Sequence, residues 1–366
     1  MKPMAGKRIL LVAMALMMLS ACGFRRHALD TPLITDSQQP DKELFDRAAD
    51  FLEHNRFTEA RLLLQTLINT YPDSEYLAKS KLAIADSWYR QGTTSDLSQA
   101  ELEYRDFITF FPTMPEAAEA QMRVAMIHYR GMEKPDRDPM HARRAEQEFQ
   151  RVILNYPDGP FTPLAEQRLR EVQEVLAHGQ FEVGRFYFLQ GADRAAQPRL
   201  KELVERYPYY SQAPHALMLL GRSMERYQRT EGTDEAVAYF SRIVRDYPLS
   251  SEVEDAKEHL RGLGAAIPEP DPVAVARMHY EQAHAISPGL WTTLLGGFHR
   301  RPDVSAAQGR LNPPTMTAQG PAQAGVLPVS AGTDAAATTS GGSAPSGITL
   351  ESVPAPSPSS STSSAP

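Results

Sequence analysis

The chain has almost nothing with which to cross-link itself. Its 366 residues include one cysteine, Cys22, and two tryptophans. A single thiol excludes a disulfide within the chain and falls short of a metal site. No apolar run reaches the ~20 residues that span a bilayer as a helix; the longest, residues 9–19, has 11. Positive charge is not in excess either, with 38 basic against 45 acidic residues and a net charge of −7. That balance removes the main driving force for nucleic-acid binding, the neutralisation of phosphates. The motifs of catalysis are also missing: there is no HExxH, no GxGxxG or Walker-type phosphate loop and no nucleophile elbow. The ten histidines are scattered. His279 and His284, five apart, lie about 140° round a helix and share no face, so exposed surface positions are expected of them. Charged runs such as "EKPDRD" at residues 133–138 read as solvated loop. These absences point to a binding protein that carries out no catalysis and needs no cofactor.

What is present begins at the N-terminus. Lys2, Lys7 and Arg8 precede the apolar run, and the small Ser20 and Ala21 follow it. This is the three-part layout of an export signal over residues 1–21. "LSAC" at residues 19–22 resembles the lipobox of bacterial lipoproteins. That resemblance implies diacylglycerol on the Cys22 thiol, cleavage before it and acylation of the new amine, so that the only non-protein group expected is a covalent lipid. The alternative is a chance cysteine at the end of an ordinary signal peptide or membrane helix. Buried acyl chains contribute about 0.8 kcal/mol per methylene, enough for two or three chains to hold a protein on a membrane almost permanently. Without Lys2, Lys7 and Arg8 the remaining chain has 35 basic against 45 acidic residues, a net of −10. Residues 22–39 then read as a polar tether.

The body of the chain is an internal repeat. Aromatic-proline pairs occur at Tyr71-Pro72, Phe111-Pro112, Tyr156-Pro157, Tyr207-Pro208 and Tyr247-Pro248. Twelve residues before each proline stands alanine: Ala60, Ala100, Ala145, Ala196 and Ala236. Eight before lie Leu64, Tyr104, Phe149, Leu200 and Phe240, and five before lie Leu67, Phe107, Val152, Leu203 and Ile243. Steps of four, three and four put these positions on one helical stripe. Each stripe ends where proline disfavours helix in its predecessor. The small residue lets a partner helix cross closely, and Gly184, Tyr187 and Ala196 stand at the offsets of a tetratricopeptide repeat. The expected fold is all-α, a right-handed solenoid of five such hairpins over residues 40–264, in units of about 40–75, 76–115, 116–160, 161–210 and 211–264. "RQGTTSDLSQ" in unit two and "RGMEKPDRDPMHAR" in unit three read as long joints that stretch the proline spacings to 40, 45, 51 and 40 residues. "SEVEDAKEHLRGLG" reads as a capping helix started by Ser251 and stopped by Gly262 or Gly264.

Residues 265–301 hold one more candidate helix and a short apolar island, "PGLWTTLLGGF". Residues 302–366 carry four charged residues, no lysine and no aromatic ring, and are dominated by Pro, Ala, Ser, Thr and Gly. Such a tail cannot bury enough apolar surface to offset its ordering entropy and is expected to be disordered.

"RDPMHARRAEQEFQRVILNYPDGPF" followed by "LAHGQFEVGRFYFLQGADRAAQPRLKELVERYP" resembles the BamD (ComL) family of outer-membrane assembly lipoproteins. The likeness covers the lipobox and residues 40 to about 262. It implies a lipid-anchored protein on the periplasmic side of the outer membrane, and Gly23 after Cys22 is similar to lipoproteins sent outward. The implied partners are the barrel-forming assembly subunit, other assembly lipoproteins and unfolded outer-membrane proteins. Arg199 matches the family arginine that meets the barrel-forming subunit, with Pro198 beside it as a departure; an exposed repeat-helix charge is the alternative. Trp88 and Tyr89 match an aromatic pair of the substrate-binding N-terminal repeats, with packing between hairpins the alternative use. Ala118 and Glu119 stand where the family pattern has Asp-Tyr. A pilotin-like lipoprotein and a cell-envelope or division scaffold are other helper functions with these repeats.

The lipobox generates one expected outcome. Cys22→Ser at normal expression leaves the membrane fraction on a high-salt wash, whereas the parent chain stays, because salt screens charge attachment but not lipid burial. Retention of the variant after the wash contradicts the anchor.

Overall fold

The computed structural model describes residues 39–227, 233–285, 302–308, 310 and 312–316. Cys22, the export signal, most of the tether and the apolar island lie outside the described residues. Among the described residues every regular element is helical, and none is long and apolar enough to cross a membrane.

Ten helices pair into five hairpins. Unit one is α1 (Pro40–Glu53) with α2 (Phe57–Thr70), unit two α3 (Leu77–Gln91) with α4 (Thr94–Phe110), and unit three α5 (Glu116–Arg130) with α6 (Met140–Asn155). Unit four is α7 (Thr162–Leu189) with α8 (Asp193–Arg206), and unit five α9 (Ala213–Tyr227) with α10 (Thr233–Asp246). Two shorter helices follow, α11 (Val253–Gly262) and α12 (Pro272–Ala283). Each helix from α1 to α10 packs on the next in the chain, so the hairpins stack into a solenoid, and α12 rests on α10.

The stripe explains the stack. All five alanines are fully buried, as are the residues four and seven positions after them, Phe107 retaining 1 % exposure. The second helix of every unit ends at the residue before the aromatic, whose N–H still donates to the carbonyl four residues back. The aromatic carbonyl then accepts an N–H three residues on, from Ser74, Met114, Gly159, Tyr210 and Ser250 in turn. Five identical exits give five similar re-entries.

Three details differ from the sequence expectation. The unit-two joint is only Gly92 and Thr93. Gly92 takes the left-handed conformation at φ +78°, and the Thr93 hydroxyl and Asp96 carboxylate cap each other's backbone amides, so helix lengths of 15 and 17 residues produce the spacing of 40. The spacing of 51 arises from α7, whose 28 residues run about 42 Å at 1.5 Å per residue. Ser251 does not cap α11; its hydroxyl donates to Glu252 Oε2 at 3.0 Å, and the helix begins at Val253 with Glu252 before it. Gly264, at φ +69°, and Ala265 close that helix by donating to Arg261 and Leu260.

The tail also departs from expectation at its start. Residues 302–308, 310 and 312–316 have described positions on the solenoid, with Ala307, Asn312 and Pro314 buried. Main-chain hydrogen bonds to polar helix side chains do what apolar burial could not. Residues 317–366 lie outside the described residues.

Polar ties join neighbouring units. His128 on α5, 1 % exposed, places Nε2 3.3 Å from Glu101 on α4 and Nδ1 3.4 Å from His141 Nδ1 on α6. The adjacent His128 imidazole, aided by Arg105 at 2.9 Å, holds the Glu101 carboxyl down to about 2.

Two outcomes follow for stability. Ala196→Leu overpacks the α7–α8 crossing and destabilises by about 1–3 kcal/mol, whereas Glu202→Ala, at an exposed site on the same helix, changes stability by less than about 0.5 kcal/mol; equal melting points contradict the crossing. The depressed Glu101 value stabilises the fold above the unfolded carboxyl range and loses its effect as pH falls toward about 2. The stability gap between the parent and Glu101→Gln in denaturant titrations is therefore wider at neutral pH than in acid, and a pH-independent gap counts against the tie.

Candidate functional site

Ala196, Leu200 and Leu203 turn one face of α8 into the core, which leaves Arg199 exposed on another. Its guanidinium has no hydrogen bond or ion pair among the described residues. It lines a groove of about 1000 Å³ whose other walls are residues 133–139, α6 and the second half of α7. The groove also presents exposed carbon: Val183 is 42 % and Phe186 58 % accessible. Gly179 lets the unit-three joint reach α7, since a Cβ there would lie 2.7 Å from the Pro135 carbonyl oxygen. The charge run read as solvated loop thus forms a groove wall, and nearby charges are matched: Arg206 pairs with Glu146 at 3.0 Å and Arg185 with Glu182 at 2.8 Å. Pro198 sits inside α8, where it withholds one amide donor from the helix next to Arg199.

Trp88 and Tyr89 are neighbours on α3 and face different hairpins. Tyr89 is 8 % exposed, edge-on to Tyr104 with ring centres 6.2 Å apart, and flanked by the guanidinium groups of Arg123 and Arg130. Trp88 is half-buried under Arg61, whose guanidinium carbon stands 3.6 Å from the ring centre while the same group donates to Ser87 and Gln91. Neither ring is near Arg199 in the chain or shares its groove. Ala118 is buried on α5, and Glu119 pairs with Arg123 at 2.8 Å.

Sequence reasoning missed a set of buried carboxylates between units. Glu146, Glu148, Glu171 and Glu174 are each at least nine-tenths buried. Glu148 accepts from Arg105 at 2.8 Å, Arg151 at 2.7 Å and Gln121 at 2.7 Å. Glu171 accepts from Arg168 at 2.7 Å and from the Tyr129 hydroxyl. Burial pushes the Glu174 carboxyl up, opposed by the charge of Arg310 and the Ser211 amide. Residues 171–177 of α7 are buried without a break, because that stretch is covered on every side. A run reading "EVQEVLA" carries no sequence sign of such enclosure. No group of three or more His, Cys, Asp or Glu is placed to hold a metal among the described residues.

The comparisons bear on the family and the repeats. The profile of YfiO, described as an outer membrane lipoprotein, matches residues 37–230 and so spans units one to four, and a tetratricopeptide-repeat profile matches residues 215–250 in unit five. An outer membrane protein assembly factor BamD from Neisseria gonorrhoeae is 25 % identical over 221 residues, covering 58 % of this chain and 82 % of that one. The BamD of Caulobacter vibrioides is 25 % identical over 215 residues, 59 % of this chain and 69 % of its own. That of Haemophilus influenzae is 23 % identical over 194 residues, 50 % and 73 % respectively. With the profile match covering more than half the chain and ending within the joint of unit five, the chain belongs to the BamD (YfiO) family of outer membrane lipoproteins.

Proposed function

We propose that this chain is a non-catalytic scaffold of outer-membrane protein assembly, anchored through lipid on Cys22 and facing the periplasm. Its α7–α8 groove docks the barrel-forming subunit. The observation that carries this reading is Arg199, an exposed arginine without a partner among the described residues, set beside the exposed Val183 and Phe186 in a concave groove. A guanidinium can grip a carboxylate through two parallel hydrogen bonds, and apolar neighbours strengthen such a pair by excluding water when a partner closes over it. The N-terminal units hold unfolded outer-membrane proteins, with the accessible part of Trp88 as a contact and Tyr89 behind it as support. Other assembly lipoproteins complete the set of partners.

The test is co-purification of the barrel-forming subunit with Arg199→Glu. Reversing the charge at a paired interface costs about 2–5 kcal/mol, a loss of roughly 30-fold or more in affinity. The circular-dichroism melt of the variant stays at the parental temperature, since the side chain has no internal role. Undiminished co-purification by a folded variant removes Arg199 from the interface, and a lowered melt assigns it to packing.

A further inference from the structure

The start of the tail lies against units three and four, and its main chain makes four hydrogen bonds to side chains of α6 and α7. The Gln173 carboxamide on α7 both accepts from and donates to one residue: Thr315 N–H donates to Oε1 at 3.0 Å, and Nε2 donates to the Thr315 carbonyl at 2.6 Å, with a longer bond to Glu146 Oε1 at 3.4 Å. Gln150 on α6 donates to the same carbonyl at 3.3 Å, and Arg170 on α7 donates to the Asn312 carbonyl at 3.3 Å. Gln173 is 7 % and Gln150 4 % exposed, so these are built, enclosed polar groups. Side chains of the segment add further contacts, among them Gln308 Nε2 donating to Glu171 Oε1 at 3.5 Å. Arg310 donates to the Tyr209 carbonyl and faces the buried Glu174, and the small Ala307 is 2 % exposed.

Paired N–H and C=O contacts from a carboxamide reproduce the bonding of a neighbouring β-strand, and they read any extended chain irrespective of its side chains. The fit is incomplete. Asn312 Oδ1 and Arg170 Nε are buried without hydrogen-bond partners among the described residues, which weakens the segment relative to a fully matched ligand. The segment nevertheless belongs to the same chain, which raises its effective concentration at the site.

We propose that Gln150, Arg170, Gln173 and Glu174 form a binding site for an extended polypeptide carrying a cationic side chain, and that residues 303–316 are its exchangeable internal occupant. The site lies on other residues than the Arg199 groove and does not depend on the docking role given to that arginine. An extended polypeptide in trans binds only by displacing the tail.

The probe is a fluorescent synthetic peptide of residues 303–316, titrated by anisotropy into full-length chains. Tethering sets an effective concentration on the order of 1 mM, so a peptide with a dissociation constant near 100 μM is masked about tenfold in the parent chain. Thr315→Pro in the full chain removes the amide donor and unmasks the site, raising peptide affinity about tenfold. Thr315→Ala keeps the donor and stays masked. Adding Gln173→Leu to Thr315→Pro abolishes binding, and a peptide N-methylated at Thr315 fails to bind the unmasked chain. Circular dichroism confirms helical content for each variant, with Gln150→Leu as a second route to the same loss. The proposal is overturned if Thr315→Pro and Thr315→Ala bind the peptide equally, if the N-methylated peptide binds as well as the parent peptide, or if the Thr315 amide exchanges freely with deuterium in the parent chain.

Discussion

The close crossing of paired helices at a buried alanine governs the rest of this molecule. The fully buried methyl groups of Ala60, Ala100, Ala145, Ala196 and Ala236 leave room for the two helices of a hairpin to cross closely, which larger side chains would prevent. That approach lets the residues four and seven positions later reach the neighbouring helix, and it leaves each hairpin with one apolar face still uncovered. Stacking covers it. The outward face of the second helix is then spare, which is where Arg199 sits.

Polar groups fix how the units sit on each other. Glu148 of unit three is gripped by Arg105 of unit two, Glu146 of unit three by Arg206 of unit four, and Glu171 of unit four by Tyr129 of unit three. A buried carboxylate without its partner costs about 3–5 kcal/mol. A slipped stacking of hairpins would strand several at once, so these pairs select one register even where their net contribution to stability is small.

Much of the architecture was legible because apolar periodicity and the aromatic-proline exit are local signals. Ala196, Leu200 and Leu203 declare a stripe without knowledge of any other element. The unit-two joint was misread because loop-like composition in "GTTSD" conceals a glycine stop followed by a capping box, a tight turn in two residues. Glu146, Glu148, Glu171 and Glu174 were illegible for a different reason: a glutamate looks the same in sequence whether it faces water or, as Glu148 and Glu146 do, an arginine of another unit. The packing of residues 302–316 left even less trace. Hydrogen bonds to the main chain have no residue signature, and low hydrophobicity of a segment bears on whether it makes its own core, not on whether it can lie on another.

The 28-residue α7 belongs to two layers at once: its first half packs on α6 and its second half pairs with α8. In a stack of separate hairpins, each junction is a place where the array can part for the loss of one interface. Because α7 is one continuous helix, its contacts with α6 in unit three and with α8 in unit four are carried on a single element and cannot shift independently. The middle of the molecule therefore has one strut common to the unit-three and unit-four walls of the Arg199 groove.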